Sequence, residues 1–301
     1  MNGGNSVSGS HVIRLAVGVM ALYLFAGCAG RANARPAYAR GGLAGGGAAR
    51  QDGAFQSLEE ALRAPERARR LAISPQTEEQ QKVRHLPPGL GRLVNLEALE
   101  LSCLESLEDL PEEIGRLRKL QELVIDNGNG CSMNVSLPRS IGQLENLRVL
   151  RLYGALDPRD IERPRRGRAK ALPDTLGDLR RLEELDLGRN GIGSLPPQVA
   201  ALRRLKKLSL DYNEIRELPA FVGDLTSLEE LSLNSNGGVR LPASLARVKG
   251  LKVHMGNNRL TLREQRALRA RFPAATFFFE NEYDDDAANQ EAPKPRARRR
   301  R

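Results

Sequence analysis

Apolar residues fall at fixed intervals through most of this chain. Leu176, Leu179, Leu182, Leu185, Leu187, Ile192 and Leu195 make one unit, with Asn190 set among them. Val199, Leu202, Leu205, Leu208, Leu210, Ile215 and Leu218 make the next, with Asn213. Val222, Leu225, Leu228, Leu231, Leu233 and Leu241 make a third, with Asn236. The pairs Leu172-Pro173, Leu195-Pro196, Leu218-Pro219 and Leu241-Pro242 each stand 23 residues after the last. Self-similarity at this period predicts a solenoid, in which each unit buries its leucines against its neighbours because it cannot bury them alone.

Within a unit, Leu185 and Leu187 have period 2 and predict a short strand, with Glu184, Asp186 and Gly188 leaving its other face. Leu176 and Leu179 have helical spacing and return the chain along the convex side. Each Asn stands where the chain must turn inside the stack, and its amide can satisfy buried backbone groups there. Proline fits the start of the convex segment, where a fixed φ helps and a missing N–H matters least.

Toward the N-terminus the spacing stretches: Leu-Pro pairs at 86, 110 and 137 are followed by that at 172. Leu104, Gly128 and Ala155 stand where the Asn is expected, so these turns should be looser. Leu71 and Ile73 predict the strand of an opening unit, preceded by a short amphipathic helix from Ser57 to Leu62. At the other end Val253, Met255, Asn258 and Leu260 form a shortened unit. Thr261-Leu262-Arg263-Glu264 reads as a capping box that opens a helix bearing Leu268 and Phe272. Phe277-Phe278-Phe279 should add a last strand over the open edge of the stack.

The stretch L-x-x-L-x-L-x-x-N-x-I/L, with L-P-x-x-[IVL]-G-x-L between strands, resembles the leucine-rich repeat over residues 55–280. The resemblance implies an α/β leucine-rich-repeat solenoid. Its features would be a curved parallel sheet of about eight short strands, short helical or irregular convex segments, and caps at both ends. It also implies protein–protein interaction as the usual role.

The net charge of +10 sits mostly outside the repeats. Six cations crowd 294–301, and 157–170 carries six basic against three acidic residues. Only about +3 is left across the repeats, with no repeat face expected to be strongly basic and no aromatics interleaved with the Arg runs. Nucleic-acid binding is therefore disfavoured.

After Arg14 comes an apolar run, Leu15 to Ala26, too short to span a bilayer as a helix. A basic start, a short apolar core and small residues before Cys28 read as a secretory signal. The ending Ala26-Gly27-Cys28 resembles the lipobox of bacterial lipoproteins, in which the Cys is lipidated; Phe25 departs from its commoner Leu. An ordinary signal peptide or an uncleaved anchor fits the same residues. The expected organisation is a signal at 1–27, a lipidated Cys28 with a Gly/Ala/Arg tether through 54, the repeat domain at 55–280, and a disordered acidic-then-basic tail at 281–301. The expected location is the bacterial cell envelope, lipid-anchored. Setting Cys28 aside leaves Cys103 and Cys131, on neighbouring units whose strands lie about 4.8 Å apart. Either they form a disulfide or they are two unrelated small apolar residues.

Candidate chemistry is sparse. His11, His85 and His254 have no metal-ligand spacing, and there is no Cys-x-x-Cys, nucleophile elbow or phosphate-binding loop. No catalytic residue, metal or cofactor is expected. The remaining surface is the concave face, where seven acidic and four basic side chains flank the strand leucines. Val124, Val149, Arg151, Tyr153, Asp186 and Tyr212 are the candidate contacts for a protein partner, since aromatic and Arg residues favour binding hot spots. Asn190, Asn213, Asn236 and Asn258 are the structural turn residues. The expected function is a monomeric, non-enzymatic, envelope-anchored protein-binding module. The alternatives are a structural envelope protein holding anionic polymer or lipid through its tail and insertion, and a cytosolic or host-directed repeat regulator.

Overall fold

The computed structural model describes residues 53–75, 77–126, 131, 133–156 and 171–279. Ten strands in chain order form one parallel sheet. They are β1 (Ala54–Phe55), β2 (Arg70–Ile73), β3 (Ala98–Ser102), β4 (Glu122–Asp126), β5 (Val149–Tyr153), β6 (Glu184–Asp186), β7 (Lys207–Ser209), β8 (Glu230–Ser232), β9 (Lys252–His254) and β10 (Thr276–Phe278). The sheet is thus longer than the eight or so strands expected. Part of the excess is β1, which straddles the expected boundary between tether and repeat domain: the Gly53 carbonyl accepts from Arg69 N and Arg70 N at 2.9 and 3.0 Å. Two residues carry no periodicity, so this strand left no pattern in the sequence.

Register is constant from strand to strand, so Leu99, Leu123, Leu150, Leu185, Leu208 and Leu231 stack in one column, each almost wholly buried. Helix α1 (Leu58–Arg63) lies at one end of the stack, with Ala61 in the core. A short α2 (Glu78–Gln81), which the sequence pattern did not indicate, follows β2. At the other end α3 (Leu262–Arg271) starts with the capping box: Thr261 Oγ1 accepts from Glu264 N at 3.2 Å, and Glu264 Oε2 accepts from Thr261 N at 2.9 Å. Strand β10 then pairs with β9, putting Phe277 beside Val253.

The convex segments are five-residue 3-10 helices, from Pro88–Arg92 to Ala243–Arg247, each preceded by an extended proline such as Pro173 or Pro219. The glycine of L-P-x-x-[IVL]-G-x-L has a packing role. A Cβ on Gly142 would lie 2.6 Å from the Thr175 carbonyl oxygen, and one on Gly223 would lie 2.2 Å from that of Ser244. Glycine therefore lets consecutive convex segments touch backbone to backbone, and Ala200 and Ala246 replace it in two units.

Just past β3 and β5 to β9 the chain turns through a left-handed residue. Cys103, Arg189, Tyr212, Ser235 and Asn257 all have φ between 54° and 58°, and Gly154 fills the same place at 64°. The turn lets the ladder run one residue further: Arg189 N donates to Asp211 O at 2.8 Å and Tyr212 N to Asn234 O at 2.9 Å. Below it lies an Asn ladder. Asn213 Oδ1 accepts from Asn190 N and Ile192 N at 3.1 and 2.9 Å, while its Nδ2 donates to Leu187, Leu210 and Asp211 carbonyls. Asn258 Oδ1 likewise accepts from Asn236 N and Gly238 N, and Asn236 Oδ1 from Ile215 N. Asn190 reaches back to the irregular half, accepting from Leu156 N at 2.8 Å and donating to Leu152 O at 2.6 Å.

Where Asn is missing, Leu104 and Ala155 are buried in the core instead. In that region Cys103 and Cys131 are joined in a disulfide, with Cα atoms 5.4 Å apart. Cys28, the 157–170 insertion and the 281–301 tail fall outside the described residues.

Candidate functional site

The open face of the sheet brings most of the candidate contacts together. Registered pairing sets Val124 beside Arg151, and Val149 between Glu122 and Glu184. Arg151 is a half-buried hub: its Nε donates to Glu184 Oε1 at 2.6 Å, and a terminal nitrogen lies 3.7 Å from Glu122 Oε1. A guanidinium held between two carboxylates is fixed in place on the sheet and still has N–H donors to offer.

Tyr153 lies over Gly188. A Cβ at residue 188 would meet the Tyr153 ring at 2.9–3.0 Å, so glycine is what lets the ring lie down on the sheet. Burial pushes the phenol of Tyr153 up to about 12, so it is a neutral hydrogen-bonding group throughout the physiological range. Tyr212, on the left-handed turn after β7, is 41% exposed and close enough to Tyr153 to perturb it.

Asp186 differs from expectation. Only 8% exposed, it forms a floor under the site. Its Oδ1 accepts from Gly188 N at 2.8 Å, and it also takes a hydrogen bond from Ser209. Burial lifts its carboxyl to about 6, against the opposing pull of those two donors. Asp211 repeats the arrangement one strand on. Its Oδ1 accepts from Ser232 Oγ at 2.6 Å and Asn234 N at 2.7 Å, and burial raises it too. The short strands of the regular half let such carboxylates fold back onto the turn, which period 2 alone does not show.

Further along the same face are residues that the sequence reading did not select. His254 stacks on Phe278 with centroids 4.7 Å apart, and its Nε2 lies 3.3 Å from Glu230 Oε1. Phe278 is 42% exposed. Its place in a three-Phe run read as edge cover concealed that alternate residues of the run face outward. Among the described residues no group of His, Cys, Asp and Glu is arranged to hold a metal ion.

Residues 164–264 match the family model described as a leucine-rich repeat region. An internalin of Listeria monocytogenes, InlF, superposes with a TM-score of 0.52 at 16% identity, over 76% of this chain and 66% of the internalin. The fold is a leucine-rich-repeat solenoid. A leucine-rich-repeat protein of Leptospira interrogans gives a TM-score of 0.43 at 23% identity, covering 77% of this chain and 70% of that one. The plant peptide hormone receptor RGFR1, solved in complex with RGF2, gives 0.48 at 21% identity, covering 77% of this chain and 35% of the receptor. In sequence, the uridine 5'-monophosphate transferase of Xanthomonas campestris pv. campestris is 39% identical over 67 residues, which is 22% of this chain and 12% of the transferase. The matched stretch thus spans about an eighth of that curated relative.

In leucine-rich-repeat terms, the candidate site is the concave face from β4 to β7. No helix among the described residues is long and apolar enough to cross a membrane.

Proposed function

We propose that this leucine-rich-repeat protein is a non-enzymatic module that binds a protein partner across its concave face, held at a bacterial cell envelope through lipidated Cys28. One observation carries the binding reading: Val124, Val149, Arg151 and Tyr153 form a contiguous, partly exposed apolar and aromatic patch on β4 and β5, next to the exposed ring of Tyr212. A patch with an ion-paired Arg and two tyrosines has the composition of an interface centre. Its side chains are already held by Glu184, Glu122 and Gly188, which lowers the ordering cost of binding.

Pull-down with wild-type protein and with Val149→Lys/Tyr153→Ala tests the patch; loss of a discrete partner supports it, and an unchanged set of partners contradicts it. Anchoring rests on the Ala26-Gly27-Cys28 ending and is tested by fractionation with mass spectrometry of the mature N-terminus. A diacylglyceryl-Cys28 terminus supports it, and cleavage elsewhere contradicts it.

A further inference from the structure

The repeats as a whole carry little net charge, and no repeat face was expected to be strongly basic. One edge departs from that. Where the chain passes from each 3-10 helix into the next strand, a backbone ladder links successive units: Arg148 N donates to Gln121 O, Glu183 N to Arg148 O, and Lys206 N to Glu183 O, each at 2.8 Å. On this edge between β4 and β7 stand Arg148 and Lys206, with the dibasic pairs Arg118-Lys119, Arg180-Arg181 and Arg203-Arg204 beside them, all exposed. Eight cations face three carboxylates there, Glu145, Asp178 and Glu183. The same positions in the flanking units hold Val94, Asn95 and Glu97 on one side, and Thr226, Ser227 and Glu229 on the other. The basic strip is therefore bounded, about 15 Å along the sheet at the usual strand spacing.

Its cations are also held in place. Arg203 donates to the Asp224 carbonyl at 2.7 Å and Arg180 to the Ala201 carbonyl at 3.4 Å, the same contact made in successive repeats. Arg181 bonds Asn146 Oδ1, and Asn146 in turn donates to Arg118 O at 2.7 Å. Glu183 is encircled: Lys206 hydrogen-bonds it at 2.8 Å, and with the charges of Arg148 and Arg204 holds it below the usual carboxylate range. A carbonyl takes one of the five N–H donors a guanidinium offers, so each Arg keeps donors for an anion.

We propose that this edge docks on the surface of an anionic phospholipid bilayer. Two rows of cations across four repeats make a two-dimensional patch with no aromatic residue, whereas protein interfaces need apolar or aromatic anchors and single-stranded nucleic acid needs stacking rings. A bilayer surface needs neither, only several Lys and Arg near its headgroups. An edge-on posture leaves the concave face open to the side, so the inference stands apart from both partner binding and lipidation of Cys28.

The full chain is sedimented with phosphatidylglycerol-containing vesicles and with pure phosphatidylcholine vesicles, which subtracts any binding through the apolar N-terminus. Each basic residue is worth roughly five-fold in partitioning. Arg180→Gln, Arg181→Gln, Arg203→Gln and Arg204→Gln together should lower the anionic-specific component on the order of a few hundred-fold. The matching four-Lys variant should retain binding, which separates charge from folding. Arg263→Gln, Arg266→Gln, Arg269→Gln and Arg271→Gln on α3, with the same change in net charge, should lose far less. Equal losses from the edge and α3 variants, or none from the edge, would overturn the proposal. Binding to polyglutamate or duplex DNA as tight as to the anionic vesicles, and lost with the same four arginines, would overturn the lipid assignment.

Discussion

Replacing Asn213 by Ala removes one rung of the ladder and tests why the repeats carry Asn at all. The side chain is 7% exposed and makes five hydrogen bonds, but they are not equally replaceable. Leu210 O keeps a donor in Asn236 Nδ2, and Asp211 O keeps Arg189 N. The Leu187 carbonyl and the two N–H groups on Oδ1 have no such substitute. That of Asn190 belongs to a residue with no exposure, while that of Ile192 is nearer to water. At about 1–3 kcal/mol for a buried orphaned group and less for the wetter one, the loss should be about 2–4 kcal/mol. Urea unfolding reads it as a fall in midpoint with unchanged slope. Thr226→Ala, at an exposed site, should stay within about 0.5 kcal/mol. A cost for Asn213→Ala no larger than for Thr226→Ala would refute the claim that the amide satisfies backbone that water cannot reach.

Three further expectations follow from the same structure. Gly223→Ala forces a methyl group against the Ser244 carbonyl and should cost about 1–3 kcal/mol by thermal or urea unfolding, while Ala200→Gly, at one of the two units lacking the glycine, should cost less. Breaking the 103–131 bridge with Cys103→Ala/Cys131→Ala releases a loop of 28 residues and should cost about 3–4 kcal/mol, and two free thiols in the native wild type by titration would contradict the bridge. Asp186 has a raised carboxyl, so its contribution is present in full below the ordinary carboxylate range and is lost as pH rises through about 6. Asp186→Asn should therefore gain on wild type by about 2–3 kcal/mol between pH 4 and pH 8 in unfolding experiments, and a difference constant with pH would contradict the assignment.

The sequence was most legible where physics repeats. Aliphatic residues at period 2, mostly leucines, located the strands from β2 to β9, because each is buried by its counterpart in the neighbouring unit. The Leu-Pro pairs likewise placed the convex segments. It was least legible where a feature has no period: β1 is two residues long, and the left-handed turn accepts Cys103, Arg189, Tyr212, Ser235 and Asn257 alike. For the candidate site, alternation identified which side chains leave the open face but not how far they leave it. Asp186 folds back onto Gly188 N and is buried, whereas Tyr212, outside the alternation, is exposed. The basic edge escaped notice because its dibasic pairs alternate along the chain with acidic residues of other faces, and only stacking separates the two.

The claim that the concave face is the binding surface is tested most directly by site-specific photo-cross-linking in intact cells. A photo-reactive residue at Val124 or Val149 is compared with one at Ser227, on the edge away from the patch. The account predicts a discrete protein adduct from the two concave positions and none from Ser227. Adducts from Ser227 alone, or the same adducts from all three, would contradict it.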